Sequence, residues 1–435
     1  MRLAAAEPCL PVTLLQQTES TMLRKWITLT IVVGLPAAFQ FPDDRNAWSQ
    51  PPEAVLSQPS SPTATDDTES QWVFPLDANH NHAPGIVEFA NGELLVSWYR
   101  GSGERTADDV AVMGAWKRAG EKAWSEPFVM ADEPGFPDCN TCMHVDDSDR
   151  LWLFWPTVIA NSWESCLTRY QVSDRATAPE GLLWDRQGLV LLKPDDFADE
   201  AKRVFDELVS QQLPTPLPPN VAAAIDRAKA RLHDKLFQRL GWQPRCKPTV
   251  LPSGRILLPL YTDTFSISIM AISDDSGKSW YASKPIFGFG NIQPAVLRRN
   301  DGTLVALMRN NGPGGKILVS QSSDDGITWS VATPTDVPNP GSGLDAVRLR
   351  SGRWVLICND TTNGRSKLTM LLSDDEGKSW KWSRSLEDHD SGQYHYPVII
   401  QGRDEKLHVV YSYFVEAGKT MKYVRLDENW ITQAN

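Results

Sequence analysis

Polar and aromatic side chains stand at the ends of several apolar, strand-like segments of this sequence. Arg309 ends the segment LVALMRNN, and Tyr394, His395 and Tyr396 open the segment QYHYPVII. An arginine among apolar neighbours needs an anion or another partner, because a buried unpaired charge is unfavourable. A guanidinium matches a carboxylate, an activated tyrosine can attack a carbon centre, and a histidine can move protons near neutral pH. Together these residue types suit an acidic sugar.

The elements that must position these side chains are six copies of one unit. Each copy reads as an apolar strand, a short turn that often contains glycine, and a second apolar strand, which is the pattern of a β-hairpin. The copies begin at His82, Asn140, Lys247, Gln293, Leu344 and Tyr396.

A second element follows the hairpins. Residues 273–280, 322–329 and 373–380 all match S-x-D-x-G-x-[ST]-W, the Asp box, and their tryptophans are 49 and 51 positions apart. The Asp carboxylate can accept N–H groups of the turn, the Gly permits a positive φ, and the Trp packs on the strands. A repeat of about 50 residues suits a four-stranded blade better than the hairpins of a β-sandwich. We therefore predict an all-β fold, a six-bladed β-propeller, over residues 72–435.

One insertion interrupts the series at residues 194–245. Residues 195–211 and 220–240 have helical periodicity, and prolines separate them. This pattern predicts a helical hairpin lying against the propeller, which either shapes one wall of the cleft or is a passive addition.

The N-terminal part has a different composition. Residues 1–41 are predicted to be an extension and a signal peptide, with a basic start, a short apolar run and a small-residue exit across 22–38. Residues 42–71 are rich in Pro, Ser, Asp and Thr and predict a disordered linker. We therefore expect export to the periplasm or the medium, with no stable membrane insertion after signal removal.

The net charge and the sequence motifs limit the classes of partner and cofactor. The formal net charge of −11 argues against a nucleic-acid partner. No P-loop, GxGxxG or HExxH motif and no regular ligand spacing is present, so neither a cofactor nor a metal is predicted. Cys139 and Cys142 are expected to form a local disulfide or to be buried thiols. The oligomeric state is left open.

The hairpins and Asp boxes resemble the sialidase (neuraminidase) superfamily, specifically its bacterial Asp-box or BNR-repeat branch, over about residues 72–435. The resemblance implies arginines that hold a substrate carboxylate, an Asp that acts as acid and base, and a Tyr nucleophile polarised by a Glu. Arg309 and Arg365 match the second and third arginines. Tyr394 is the preferred match for the nucleophile, and Tyr396 is the alternative.

Other positions follow from the same comparison. The acid/base Asp falls after the first hairpin, where Asp109 is preferred to Asp108. Two positions depart from the pattern: His82 stands where the first arginine is expected, and Gln293 stands where the Glu is expected. An amide cannot take a proton at useful pH.

In a propeller the residues around each hairpin's inner end converge on the central channel. The predicted catalytic residues are Tyr394, Asp109, Asp108, His82 and Gln293. The predicted substrate-binding residues are Arg309, Arg365, Arg100, Arg105, His395, Tyr396 and Tyr261. Further residues expected at these ends are His80, Asn81, Glu104, Lys247, Asp263, Asn359 and Asp360.

Three functions are compatible with this set. The first is exo-glycosidase hydrolysis of a terminal acidic sugar from a glycan, by a retaining mechanism. The second is β-elimination on a uronate, in which His82 or His395 takes the α-proton. The third is a propeller that binds an acidic glycan without catalysis.

Overall fold

The computed structural model describes residues 68–433 except 213, 214 and 313. The predicted signal at 22–38 and the predicted linker up to residue 67 lie outside the described residues. Within the described part, no helix is long and apolar enough to cross a membrane.

Six antiparallel sheets form the blades of a propeller, and the predicted all-β, six-bladed fold with a helical insertion is confirmed. Each blade begins with its inner strand. The first strand of the chain is β1 Glu69–Trp72. Blade 1 contains β2 His80–Glu88, β3 Leu94–Gly101, β4 Ala111–Lys117 and β5 Phe128–Ala131, and blade 2 contains β6 Cys142–Val145, β7 Leu151–Val158, β8 Cys166–Ser173 and β9 Arg186–Leu189. Blade 3 contains β10 Gln243–Pro244, β11 Thr249–Val250, β12 Ile256–Thr262, β13 Ile267–Ser273 and β14 Tyr281–Ala282.

The second half of the ring repeats this plan without an insertion. The strands of blades 4 to 6 are β15 Asn291–Arg298, β16 Leu304–Asn310, β17 Lys316–Ser322, β18 Thr333–Pro338; β19 Asp345–Arg348, β20 Trp354–Cys358, β21 Lys367–Ser373, β22 Trp382–Asp388; β23 Gln393–Gln401, β24 Leu407–Val415 and β25 Gly418–Leu426. A short helix, Asn429–Thr432, follows β25.

The core lies between neighbouring blades. The central strands are apolar on both faces because each blade is covered on both sides. Ile357 and Met370 of blade 5, for example, belong to the same buried cluster as Val409 and Tyr411 of blade 6. Such interfaces hold the inner strands in fixed positions around the channel.

The first strand corrects one predicted boundary. Residues 69–71 were assigned to the linker, but Glu69–Trp72 pairs antiparallel with β25 and becomes the outermost strand of blade 6. The N–H of Val73 donates to the carbonyl of Met421 at 2.9 Å. The chain thus closes the ring with its first described strand, because β25 would otherwise be an unpaired edge.

The insertion contains three helices rather than two. They are α1 Phe197–Gln212, α2 Pro219–Leu232 and α3 Lys235–Arg239. The predicted helix over 220–240 is interrupted at Asp234, whose carboxylate accepts the Leu236 N–H at 2.8 Å and caps α3. Phe197 and Phe205 of α1 are buried in the cluster that includes Phe265 and Phe287 of the third blade unit.

Candidate functional site

Backbone bulges in three inner strands shape the centre of the ring. Ala83, Gln293 and Tyr396 each precede a proline and have φ of 53°, 56° and 46°. The ladders of β2, β15 and β23 shift register at these positions. A positive φ is unfavourable for residues with a Cβ, so the surrounding structure must hold these conformations. The bulges turn the side chains of Gln293 and Tyr396 toward each other.

Tyr396 lies at the centre of a contact network. Its hydroxyl is 2.9 Å from Nη1 of Arg309 and 3.1 Å from Nε2 of Gln293. Its ring stacks on His82 with the centroids 4.4 Å apart. A Cβ on Gly343 would lie 2.6 Å from the Tyr396 ring, so the glycine makes room for this ring position. Two donors therefore face the Tyr396 oxygen.

Two guanidinium groups of like charge share this centre. Arg365 donates from Nη1 to Nδ1 of His395 at 2.7 Å and from Nη2 to the carbonyl of Gly341 at 3.1 Å. Burial and the charge of Arg309 lower the pKa of Arg365 to about 10. Among the described residues, no carboxylate lies at ion-pair distance from Arg309 or Arg365. This arrangement suits a bound anion.

The neighbouring histidines are predominantly neutral at neutral pH. Burial lowers the pKa of His82 and of His395 well below 6.5, and the charges of nearby His and Arg groups act in the same direction. Arginine can only donate, so Nδ1 of His395 accepts from Arg365 and its proton is on Nε2. Nδ1 of His82 is 2.9 Å from the hydroxyl of Ser412.

Two carboxylates border the cationic centre. Glu104 accepts the hydroxyl of Tyr99 at 2.7 Å and pairs with Arg105 at 3.0 Å. Asp263 accepts Nε2 of Gln243 at 2.9 Å. Burial raises the pKa of Asp263 to about 6, although the charges of Arg309 and Arg105 oppose the increase. A carboxyl group with this pKa can donate a proton in mildly acidic solution.

A chain of neutral hydrogen bonds joins four blades across the centre. Nδ2 of Asn140 donates to Oε1 of Gln243 at 2.9 Å and to the hydroxyl of Tyr261 at 3.3 Å. Gln293 then donates to both Tyr261 and Tyr396 at 3.1 Å. The residues around Tyr396 are therefore fixed by one another.

The described residues contain no group of three or more His, Cys, Asp or Glu arranged to hold a metal ion. Cys139 and Cys142 are buried and unpaired thiols. Burial raises the pKa of both above its ordinary value, so neither is activated as a thiolate. The chemistry available at the centre is thus that of Tyr, Arg, His and carboxyl groups.

Comparisons with known proteins agree with this architecture. The BNR repeat-like domain matches residues 227–409. A protein of unknown function from Dyadobacter fermentans aligns with a TM-score of 0.62 and 16% identity, over 83% of this chain and 99% of its own. The intramolecular trans-sialidase of Ruminococcus gnavus aligns with a TM-score of 0.60 and 13% identity, over 86% and 100%. The NanB sialidase of Streptococcus pneumoniae gives 0.60 and 15%, over 83% and 71%.

The chain has the propeller fold of these sialidases, and its residues 227–409 match the BNR repeat-like domain. The resemblance inferred from its Asp boxes is therefore confirmed at the level of fold and repeat. Sequence identities of 13–16% do not transfer a substrate, so function must be argued from the site of this propeller.

The propeller brings together most of the predicted centre. The residues joined by direct contacts around Tyr396 are His82, Tyr261, Gln293, Arg309, Arg365, His395 and Tyr396. Arg105 lies at the border, paired with Glu104 and 5.4 Å from the ring of Trp163.

Tyr394, the preferred nucleophile, is not part of this group. Its side chain is 1% exposed and belongs to the apolar cluster between blades 5 and 6. Its ring contacts Tyr411 and Tyr413. Side chains alternate along β23, so His395 faces the centre and Tyr394 does not; the bulge then turns Tyr396 inward. The alternative, Tyr396, lies within the group.

Three charged residues predicted for the site have partners outside the group around Tyr396. Asp109 is exposed and accepts the N–H and hydroxyl of Ser102 at 3.1 and 2.9 Å, so it stabilises its own loop. Asp108 is exposed and accepts Nδ2 of Asn161 at 2.8 Å. Arg100 pairs with Asp77 at 2.6 Å. These partners satisfy the charges that had suggested a site.

The sequence interpretation missed several residues of the centre. Arg245 lies directly before the third hairpin, a position that could have suggested a role. Gln243 and Asn140 are buried amides with no distinguishing pattern, and Tyr99 is one apolar strand residue among many. Glu104 and Asp263 were expected near the channel but were not selected.

Proposed function

We propose that this protein is a retaining exo-glycosidase that hydrolyses a terminal acidic sugar from a glycan. The observation that carries the proposal is the pair Arg309 and Arg365, like-charged and without a carboxylate partner among the described residues, beside the hydroxyl of Tyr396. Two guanidinium groups would bind the carboxylate of the sugar and hold its anomeric carbon near Tyr396. The predicted signal at 22–38 would deliver the enzyme to glycans outside the cytoplasm.

The reaction has two balanced steps. The phenol proton of Tyr396 passes to solvent, its oxygen forms a bond to the anomeric carbon while the glycosidic C–O bond breaks, and Asp263 gives its proton to the leaving oxygen. Water then attacks the anomeric carbon, the bond to Tyr396 breaks, and Asp263 takes a proton from the water. The pKa of about 6 for Asp263 supports its role as the acid, which we had expected from Asp109.

Elimination on a uronate is a second candidate, favoured by His82. Its neutral ring stacks on Tyr396 and stands where the resemblance predicted an arginine. In that reaction a histidine would take the proton next to the carboxylate, the C–O bond to the leaving sugar would break as a tyrosine returns a proton to the leaving oxygen, and a conjugated double bond would form. The product would absorb ultraviolet light, whereas hydrolysis would give only new reducing ends.

The test compares two tyrosines on one strand. We expect Tyr396→Phe to lower kcat on sialosides or uronides at least about 10³-fold, because the covalent step is lost. Tyr394→Phe should retain kcat within a few-fold, since its ring lies in an apolar cluster. Reducing-end and absorbance assays on the purified protein, with thermal unfolding as a control of folding, measure both. Full activity of Tyr396→Phe would refute a tyrosine nucleophile at this site.

A further inference from the structure

Arg245 is a buried cation without an ionic partner. Its side chain is 1% exposed, and its Nη2 donates a hydrogen bond to the carbonyl of Pro397 at 2.7 Å. Nε and Nη1 have no hydrogen-bond partner among the described residues. Asp345, whose charge also acts on Cys246, is already paired with Lys247 at 2.5 Å. The charge of Arg245 is therefore not neutralised by a carboxylate in the described structure.

The position of this cation relates it to Tyr396. The guanidinium carbon lies 5.0 Å from the centroid of the Tyr396 ring. Its hydrogen bond goes to Pro397, the residue that follows Tyr396 and fixes the bulge. Arg245 thus lies over the ring of the proposed nucleophile and binds the backbone of the residue that follows it.

Burying an unpaired cation is unfavourable, and an apolar side chain of similar length would fill the same space without that penalty. A negative charge that develops on Tyr396 during the reaction would offset it. Gln293 stands where a carboxylate was expected, and its amide cannot accept the phenol proton. Arg309 and Gln293 both direct donors at the Tyr396 oxygen, so these donors would stabilise negative charge that develops there during the reaction.

We propose that Arg245 is a positioning residue whose positive charge, together with that of Arg309, stabilises the phenolate of Tyr396. These two cations would take the place of the carboxylate base that is absent at Gln293. This inference rests on the proposed function. The phenol proton passes to solvent, the phenolate oxygen bonds to the anomeric carbon as the glycosidic bond breaks, and the leaving oxygen takes the proton of Asp263. In the second step the same cations stabilise the departing phenolate.

Three variants test the role of the charge. Arg245→Met keeps the length of the side chain and removes its charge, and we expect kcat to fall about 10- to 100-fold with KM within about two-fold. Arg245→Lys keeps a charge and should retain more activity than Arg245→Met. Gln293→Glu introduced into Arg245→Met should raise kcat again, because the carboxylate would act as the missing base.

Thermal unfolding separates this role from a structural one. Removal of an unpaired buried charge should leave the midpoint of Arg245→Met unchanged or higher. A lower midpoint, with no recovery of kcat in the double variant, would mean that Arg245 only supports the fold and would overturn the inference. Wild-type kcat in Arg245→Met, with Tyr396→Phe inactive, would refute the role of Arg245 and leave the proposed function standing. An active Tyr396→Phe would refute the proposed function itself.

Discussion

Asp263 has the environment of a proton donor on the cationic side of the centre. Burial favours its neutral form, whereas the charges of Arg309 and Arg105 favour the carboxylate, and the balance gives a pKa of about 6. Gln243 holds one carboxyl oxygen and so fixes the side chain. A general acid must be protonated to act, so activity through Asp263 should decrease as the pH rises through about 6.

We therefore expect Asp263→Asn to lower kcat on glycosides with poor leaving groups by about 10²- to 10⁴-fold. Substrates whose leaving group needs no proton should be cleaved in the first step at nearly the wild-type rate. The loss of activity above pH of about 6 should disappear for Asp263→Asn. Asp109→Asn is the matched control, and pH–rate profiles with both kinds of leaving group provide the measurement. If Asp109→Asn showed this behaviour and Asp263→Asn did not, the loop carboxylate would be the acid.

At the residue scale, the sequence identified which residues could carry the chemistry, but not the side of the strand that each side chain faces. Arg309 could be predicted because an arginine at the end of an apolar strand needs an anion, and Arg365 because its position matches an arginine of the family it resembles. The sequence could not show which of Tyr394 and Tyr396 faces the centre, because two residues spaced by two along a regular strand face the same side. The bulge changes the side that Tyr396 faces and leaves Tyr394 unaffected. Each bulge residue precedes a proline, but this signal is not specific, because Leu258 also precedes a proline without a register shift.

The Asp box is the element whose physical role could be predicted in full. In the box of blade 4, Asp324 accepts the N–H of Thr328 at 2.9 Å and its hydroxyl at 2.6 Å, and Ser322 accepts the N–H of Gly326 at 3.0 Å. Burial alone would raise the pKa of Asp324, but the hydrogen bonds from Thr328 and Ser322 outweigh it. The box is local in sequence, so its spacing defines its geometry.

Removing this carboxylate should destabilise the blade without affecting catalysis. We expect Asp324→Ala to lower the free energy of unfolding by about 1 kcal/mol, because two turn donors lose a charged acceptor. Asp336→Ala on the same blade is the control, since Asp336 is fully exposed and only pairs with Lys316 at 3.4 Å. Urea unfolding and kcat measure the two effects. Equal midpoints for the two variants would show that the box contributes nothing measurable.

The helices of the insertion could be predicted, but the residues that the insertion brings to the centre could not. The apolar spacing of residues 195–211 indicated a helix that packs on the propeller, and α1 does so through Phe197 and Phe205. The segment that follows α3 is the part of the insertion that brings Gln243 and Arg245 to the centre. Their roles arise from contacts with Asp263 and Tyr396, which are distant in sequence.

At the scale of the molecule, regular spacing revealed the number of blades because each blade is built from consecutive strands. The ring itself depends on contacts between the two ends of the chain, and these carry no spacing signal. Glu69 forms an ion pair with Lys117 of blade 1 while its strand pairs with β25 of blade 6. Gln71 donates to the carbonyl of Lys122 at 2.9 Å. The strand β1 therefore joins the first blade to the last.

This closure predicts different effects for two truncations. A chain that begins at Thr68 keeps β1, and we expect its thermal midpoint to equal that of the full chain, in accord with a linker that ends near residue 67. A chain that begins at Val73 loses the four residue pairs between β1 and β25, so blade 6 gains an open edge. Its midpoint should fall by several degrees and its aggregation on heating should increase. Calorimetry and light scattering on the three chains measure this. An unchanged midpoint for the shorter chain would mean that other blade contacts close the ring, and a lower midpoint for the chain from Thr68 would show that the preceding segment stabilises the propeller.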